Sequence, residues 1–149
     1  MTAEIPPAGR LDGARHLFPV RVYFEDTDLS GMVYHANYLR FMERARSDFL
    51  RAVGIDQRAA FEGGEGVYAV ADMAIRFVSP AKLDDALVVV SRVTRVRAAA
   101  AVIHQTVMRG ADKLAEAEVT AAFLTPGGRP RRQPRAWIEA FERLIANDR

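Results

Sequence analysis

Hydrophobic and polar residues alternate along several parts of this chain. Between residues 17 and 25, Val20, Val22 and Phe24 alternate with Arg and other side chains, a pattern that predicts a strand with one buried face. Four further strand-like segments follow and are separated by turns rich in Pro, Gly and Asp. They cover residues 67–78, 86–96, 100–109 and 114–124. Because the separators are short, these four segments are predicted to form an antiparallel meander.

The period of the hydrophobic positions changes between the first strand and the other four. From residue 36, apolar side chains recur at steps of three or four, at Leu39, Met42, Ala45, Phe49 and Val53. This spacing predicts an amphipathic helix of about 18 residues, hence about 27 Å long, and Gly54 is a natural stop. A second amphipathic helix closes the chain, with its apolar face at Trp137, Phe141, Leu144 and Ile145.

The order of these elements predicts an α+β fold. Five antiparallel strands can wrap around one long central helix, with the C-terminal helix added. Residues 17–149 are expected to form this single domain. Residues 1–16 hold prolines and glycines without a hydrophobic period, and they are predicted to be a flexible N-terminal arm. A sheet that wraps one helix leaves an edge strand open, which favours pairing with a second copy.

Composition narrows the chemistry that this chain can carry. The 149 residues include no cysteine, which excludes disulfides, thiolate metal sites and a cysteine nucleophile. The histidines lack the spacing of metal ligands. The net charge is only +2, and the most basic stretch, residues 129–135, is interrupted by prolines and interpreted as a solvated loop. No nucleic-acid partner is therefore expected, and the lack of an apolar leader or span favours a cytoplasmic protein.

The densest cluster of candidate catalytic groups lies just before the long helix, in the turn-rich connection DTDLSGMVYH at residues 26–35. A helix N-terminus offers unpaired N–H groups and a partial positive charge, which stabilise an oxyanion that develops on a carbonyl. Asp28 lies seven residues before His35, so it is a candidate base or nucleophile at the same carbonyl. The spacing also fits another interpretation, in which Asp26 and Asp28 only form turns or caps and His35 is a surface histidine.

The segment RVYFEDTDLSGMVYHANYLRFMERAR, residues 21–46, resembles the signature of the YbgC-type acyl-CoA thioesterases. These enzymes belong to the 4-hydroxybenzoyl-CoA thioesterase class of hotdog-fold proteins, and the stretch SPAKLDD at residues 79–85 is similar to the same family. The resemblance implies a hotdog fold and hydrolysis of acyl-CoA thioesters to a free acid and CoA. One position departs from the family pattern, because Phe24 stands where relatives often carry tyrosine.

The resemblance also implies roles for individual residues. The catalytic aspartate falls on Asp28, which would attack the thioester directly or activate a water molecule. The motif histidine falls on His35, which would orient substrate or water, while its backbone N–H would polarise the carbonyl. Tyr34, Asn37 and Tyr38 would line or shape the substrate pocket.

Coenzyme A enters this interpretation as part of the substrate, so neither a cofactor nor a metal is expected. Its phosphates would be contacted by Arg97 and Arg95, near the turn between the middle strands, and by Lys82 in the SPAKLDD stretch. Ordinary surface charge is the alternative for each of these three residues. Glu43 is interpreted as a helix-surface acid that pairs with Arg46.

The expected assembly is a homodimer or homotetramer that binds an acyl-CoA substrate. Two other functions remain open, because a fold does not fix a function. One is non-hydrolytic binding of acyl-CoA or of an acyl-carrier protein. The other is a scaffold with an envelope-associated partner, for which the C-terminal helix would be the docking surface.

Overall fold

The computed structural model describes residues 3–148. Its strands are β1 (Arg10–Asp12), β2 (Arg15–Arg21), β3 (Val67–Phe77), β4 (Ala86–Arg97), β5 (Ala100–Arg109) and β6 (Asp112–Leu124). Its helices are α1 (His35–Ala52), α2 (Gln57–Glu62) and α3 (Arg135–Asn147), and a short 3-10 helix spans Phe24–Asp26. One long helix packs against one antiparallel sheet, which is the α+β arrangement that the sequence predicts.

The six strands form a single sheet in the order β1-β2-β4-β5-β6-β3. Tight turns join β4, β5 and β6 as predicted, but β3 pairs with β6 and not with β4. The predicted four-strand meander is therefore wrong at its first strand. The connection of residues 78–85 explains the difference, because it is long enough to carry the chain from the edge of the sheet back to β4, beside β2.

The first predicted strand ends earlier than its alternation suggests. After β2 the chain turns through the 3-10 helix, and Phe24 is 81% exposed instead of facing the core. The turn forms because the side-chain carboxylate of Asp26 accepts a hydrogen bond from the backbone N–H of Tyr23 at 2.9 Å. A local side-chain bond thus overrides the alternating pattern at this position.

The predicted N-terminal arm is partly held in the fold. β1 pairs with β2 in an antiparallel ribbon and adds a sixth strand to the five that the sequence predicts. Just before β1, the backbone N–H of Gly9 donates to Asp48 Oδ2 in α1 at 2.9 Å. The buried ring of His16 in β2 lies 2.7 Å from the same oxygen through Nε2. Residues 9–16 are therefore tied to the central helix.

The central helix has the predicted boundaries to within one residue, but its apolar face differs in part, because Leu39 is 38% exposed and Phe41 is buried. The side chains that pack against the sheet are almost fully buried, namely Phe41, Met42, Ala45 and Phe49. Burial of each large side chain contributes about 1.5–3 kcal/mol. The helix ends before Gly54, whose φ of +88° lies in the left-handed region that favours glycine. Among residues 3–148, no helix combines the length and apolar character needed to cross a membrane.

The long strand β3 forms one edge of the sheet. It is paired by β6 on one side only, and most of its 11 residues are exposed, including Val70 and Phe77. The opposite edge, β1, is three residues long. A long edge with unpaired backbone groups and exposed apolar side chains is suited to the addition of another strand.

Candidate active site

The loop that leads into α1 is folded tightly on itself. The backbone N–H of Asp28 donates to the carbonyl of Met32 at 3.0 Å, and the Gly31 N–H donates back to the Asp28 carbonyl at 3.0 Å. Thr27 and Val33 form an isolated antiparallel bridge on either side of this turn. Gly31 has a φ of +81°, so a residue with a side chain would be strained there. The turn holds Asp28 close to the start of the helix.

The carboxylate of Asp28 is exposed and polarised. Its Oδ1 accepts a hydrogen bond from the backbone N–H of Ser30 at 2.8 Å and another from the Ser30 hydroxyl. These bonds, the hydroxyl first, hold the pKa of Asp28 below its ordinary value, and the nearby charge of His35 acts in the same direction. The side chain is therefore an anion in neutral solution.

The first turn of α1 leaves backbone donors available. Tyr34 is the N-cap residue and makes no side-chain capping bond, and the helix begins at His35. The first N–H groups of a helix have no acceptor within it, so the amide at His35 has no helical acceptor and lies at the positive end of the helix dipole. The rings of Tyr34 and His35 lie 4.6 Å apart, and Phe77 at the end of β3 meets the His35 ring at 6.1 Å.

A buried carboxylate fixes this loop to the helix. Asp26 is 6% exposed, and its Oδ1 accepts a hydrogen bond from Asn37 Nδ2 at 2.8 Å while its Oδ2 accepts the bond from Tyr23. The Asp26 carbonyl also accepts the N–H of Tyr34 at 2.8 Å. Asn37, predicted to line or shape the pocket, is itself buried and bonded to Asp26. These bonds set the distance between Asp28 and the helix N-terminus.

Tyr38 is a second predicted pocket residue that the structure places in the interior. It is 4% exposed, and its hydroxyl accepts a hydrogen bond from the backbone N–H of Ala81 at 2.9 Å. Burial raises the pKa of this phenol. The residue thereby attaches the 78–85 connection to α1. Lys82 in that connection forms a bridge with Met32, so the structure does bring this exposed cation to the loop of Asp28.

The two predicted arginine contacts of coenzyme A lie elsewhere. β4 starts beside the site, where the N–H of Val22 donates to the carbonyl of Asp85 at 3.0 Å. Arg95 and Arg97 are near the other end of the same strand, about 30 and 36 Å along an extended chain from its start, and the Arg97 carbonyl there accepts a bond from Gln133. Within one protomer, the structure does not bring Arg95 or Arg97 to Asp28.

Several residues that support the site were not predicted. Ser30 polarises Asp28, and its position two residues downstream is the spacing at which an aspartate bonds to a following residue, a signal present in the sequence. Arg109 donates to Asp85 Oδ2 at 2.9 Å and to the carbonyl of Pro80 at 3.2 Å. That contact spans distant parts of the chain and has no local signal.

Among residues 3–148, no group of three or more His, Asp or Glu side chains is arranged to hold a metal ion.

Known proteins resemble this chain over most of its length. The family model for the thioesterase superfamily matches residues 30–116, more than half of the chain. The chain is 41% identical over 128 residues to the acyl-CoA thioesterase YbgC of Haemophilus influenzae, covering 85% of this chain and 94% of that protein. It is 36% identical over 127 residues to the acyl-CoA thioester hydrolase YbgC of Escherichia coli, with coverages of 84% and 94%. The crystal structure of a probable thioesterase from Bartonella henselae is 40% identical and matches with a TM-score of 0.77, over 80% of this chain and 99% of that one.

The fold and the family match together define a hotdog thioesterase, and the predicted fold class is confirmed. The chain belongs to the thioesterase superfamily, and its predicted resemblance to the YbgC-type acyl-CoA thioesterases is confirmed.

Proposed function

We propose that this protein hydrolyses acyl-CoA thioesters at the loop between Asp28 and the start of α1. The observation that carries the proposal is the exposed, ionised carboxylate of Asp28 beside a helix N-terminus whose capping position is unused. An anion on one side of a carbonyl and unpaired donors on the other are the two requirements for acyl transfer. The two YbgC proteins to which the chain is 41% and 36% identical carry this activity in their names.

In the proposed mechanism, the thioester carbonyl oxygen accepts the backbone N–H of His35. As a nucleophile adds to the carbonyl carbon, charge develops on that oxygen and is stabilised by the N–H and by the helix dipole. Asp28 either takes a proton from the attacking water or attacks the carbon itself, in which case water then hydrolyses the resulting anhydride. The C–S bond breaks, and CoA leaves as a thiolate that takes up a proton. The ring of His35 orients the water or the substrate.

We infer that a second copy completes this site by pairing along the open edge of β3. Antiparallel pairing of two identical β3 strands would place the Val67 end of one copy beside the Phe77 end of the other. The Phe77 end contacts His35, whereas the Val67 end lies at the side of the sheet that holds Arg95 and Arg97. Those arginines would therefore approach the mouth of the other copy's site, where the phosphates of CoA need cations.

The experiment that tests the function is thiol release from acyl-CoA by the Asp28→Asn variant. The amide keeps the shape of the side chain but is neither a base nor a nucleophile, so kcat should fall by about 10²–10⁴-fold. Asp84→Asn is a matched control, because Asp84 is also an exposed acid near the site. Its φ of +70° is one that asparagine adopts readily.

The control should retain the activity of the unmodified protein. Near-full turnover by Asp28→Asn would show that the assigned carboxylate is not the catalytic one. Saturable binding of acyl-CoA without turnover by the unmodified protein would favour the non-hydrolytic binding function instead.

A further inference from the structure

A cavity of about 320 Å³ lies between the C-terminal half of α1 and the sheet. Its volume is at the lower end of the roughly 300–1,000 Å³ of small-ligand sites. Most of the wall is apolar and comes from α1, β3, β5 and α3, including Leu50, Tyr68, Ile103 and Phe141. One cationic side chain, Arg46, also lines it. The cavity thus combines a largely apolar wall with one cation, Arg46, and one acid, Glu43.

The guanidinium of Arg46 is held in place by a buried amide. Its Nη1 donates to Oε1 of Gln105 at 3.0 Å. Gln105 is fully buried, and its Nε2 donates to the carbonyl of Met42 at 2.9 Å and to the Ser91 hydroxyl at 3.0 Å. Because both hydrogens of that amide are used, its oxygen must face Arg46. The arginine is thereby fixed at the wall of the cavity, with its other N–H groups left over.

The guanidinium of Arg46 is bonded to the neutral amide of Gln105 and not to an acid. The predicted pair with Glu43 does not form, although the exposed Glu43 side chain also lines the cavity and its charge favours the charged arginine. The buried acid of the same helix, Asp48, pairs with His16 and Arg51 instead. Burial lowers the pKa of Arg46. Within residues 3–148 this partly buried cation therefore lacks a salt bridge, and such charges are normally compensated by a pair or a ligand.

We propose that the cavity receives the distal end of the acyl chain and that Arg46 selects chains that end in a carboxylate. This inference rests on the proposed function. A carboxylate can accept two N–H bonds from a guanidinium, which neutral chain ends cannot match. The apolar wall contacts the methylenes between the thioester and the terminal carboxylate.

The position of the cavity along β3 shows how a substrate would reach it. Tyr68, Ala69 and Val70 of β3 form part of its wall, and they lie at the end of the strand opposite Phe77. In the proposed antiparallel pairing, these residues lie beside the second copy's His35. A chain whose thioester is bound at one copy's helix N-terminus would thus extend into the other copy's cavity, and Arg46 would be a specificity residue acting across the interface.

The test compares octanoyl-CoA with its ω-carboxylated counterpart of the same chain length. We expect the full-length protein to prefer the carboxylated substrate in kcat/KM. In the Arg46→Gln variant, kcat/KM for that substrate should fall by about 10–100-fold. The kcat/KM for octanoyl-CoA should change little. Arg46→Lys should keep part of the preference, because it retains the charge without the paired donors. Arg44→Gln is the control, since it removes the same charge from the same helix outside the cavity.

Equal losses on both substrates in Arg46→Gln would assign Arg46 a purely structural role and overturn the inference. So would the absence of any preference in the unmodified protein. Binding of the same two thioesters to the Asp28→Asn variant, with and without Arg46→Gln, gives a readout that does not require turnover. If nothing is hydrolysed but the carboxylated thioester binds more tightly through Arg46, the proposed function fails while the assignment of the cavity stands.

Discussion

The bonds made by Asp26 allow a quantitative test of how the loop that carries Asp28 is held. Both carboxylate oxygens accept donors, Oδ2 from the Tyr23 N–H and Oδ1 from Asn37 Nδ2. The amide of an Asp26→Asn variant offers only one acceptor oxygen, so one donor must face an NH₂ group. A buried donor left without an acceptor costs about 1–3 kcal/mol. For a chain of this size that corresponds to a fall in Tm of roughly 2–12 °C.

The same change should reduce catalysis, because Asp26 positions Asp28 relative to the helix N-terminus. A displacement of about 1 Å at a reacting group can cost about 10²-fold in rate, so we expect kcat/KM for acyl-CoA to fall by about 10–100-fold. Thermal unfolding followed by circular dichroism and thiol release measure the two effects. Asp56→Asn is the control, since Asp56 caps α2 through one bond to the Ala59 N–H at 2.9 Å, and asparagine caps equally well.

A second substitution makes the test specific. Combining Asp26→Asn with Asn37→Asp exchanges the roles of the two side chains: the new amide donates to the new carboxylate and still accepts the Tyr23 N–H. The double variant should therefore regain most of the free energy of unfolding that the single variants lose. In a double-mutant cycle this corresponds to a coupling energy of about 1–2 kcal/mol. If the double variant is as unstable as the sum of the two single variants, the hydrogen-bond account of this loop is refuted.

Two further predictions concern the N-terminal segment and the carboxylate of Asp28, which is proposed to be catalytic. Asp48→Ala leaves two donors that meet at one buried oxygen without an acceptor and should lower the free energy of unfolding in urea by about 2–4 kcal/mol. The exposed Asp12→Ala should change it little; equal effects would contradict the role of Asp48. Ser30→Ala removes the main cause of the lowered pKa of Asp28. The carboxylate should therefore protonate at higher pH, and the acid limb of the pH–rate profile should shift to higher pH. An unchanged acid limb would mean that Asp28 does not titrate in the rate-limiting step.

The sequence predicts the elements of the fold better than their arrangement. The boundaries of α1 and of the four later strands follow from periodicity, which is a local property. The pairing of β3 with β6 is not local, because nothing within β3 specifies which of the later strands will lie beside it. Likewise, the alternation through Phe24 predicts a buried ring, whereas the turn made by Asp26 exposes it.

The same difference between local and long-range information applies to the candidate site. Asp28 and His35 lie within one short segment, so motif and helix geometry together predict their roles and their proximity. The structural roles of Asn37 and Tyr38 depend on whether each side chain faces solvent or interior, and the family motif does not carry that information. Arg46 and Gln105 are separated by 59 positions in the chain. Their contact is visible only once α1 is laid on the sheet.

The exposure of the site explains why the open edge of β3 matters for chemistry as well as for assembly. In one protomer Leu29 is fully exposed, and Tyr34 and Phe77 beside the helix N-terminus are 46% exposed each. A hydrogen bond from the His35 N–H to a developing oxyanion is weak in bulk water, because the solvent competes for both groups. Covering these apolar side chains with a second copy would exclude that water and strengthen the same bond without moving any catalytic atom. On this argument the strand edge is a component of the proposed catalytic machinery.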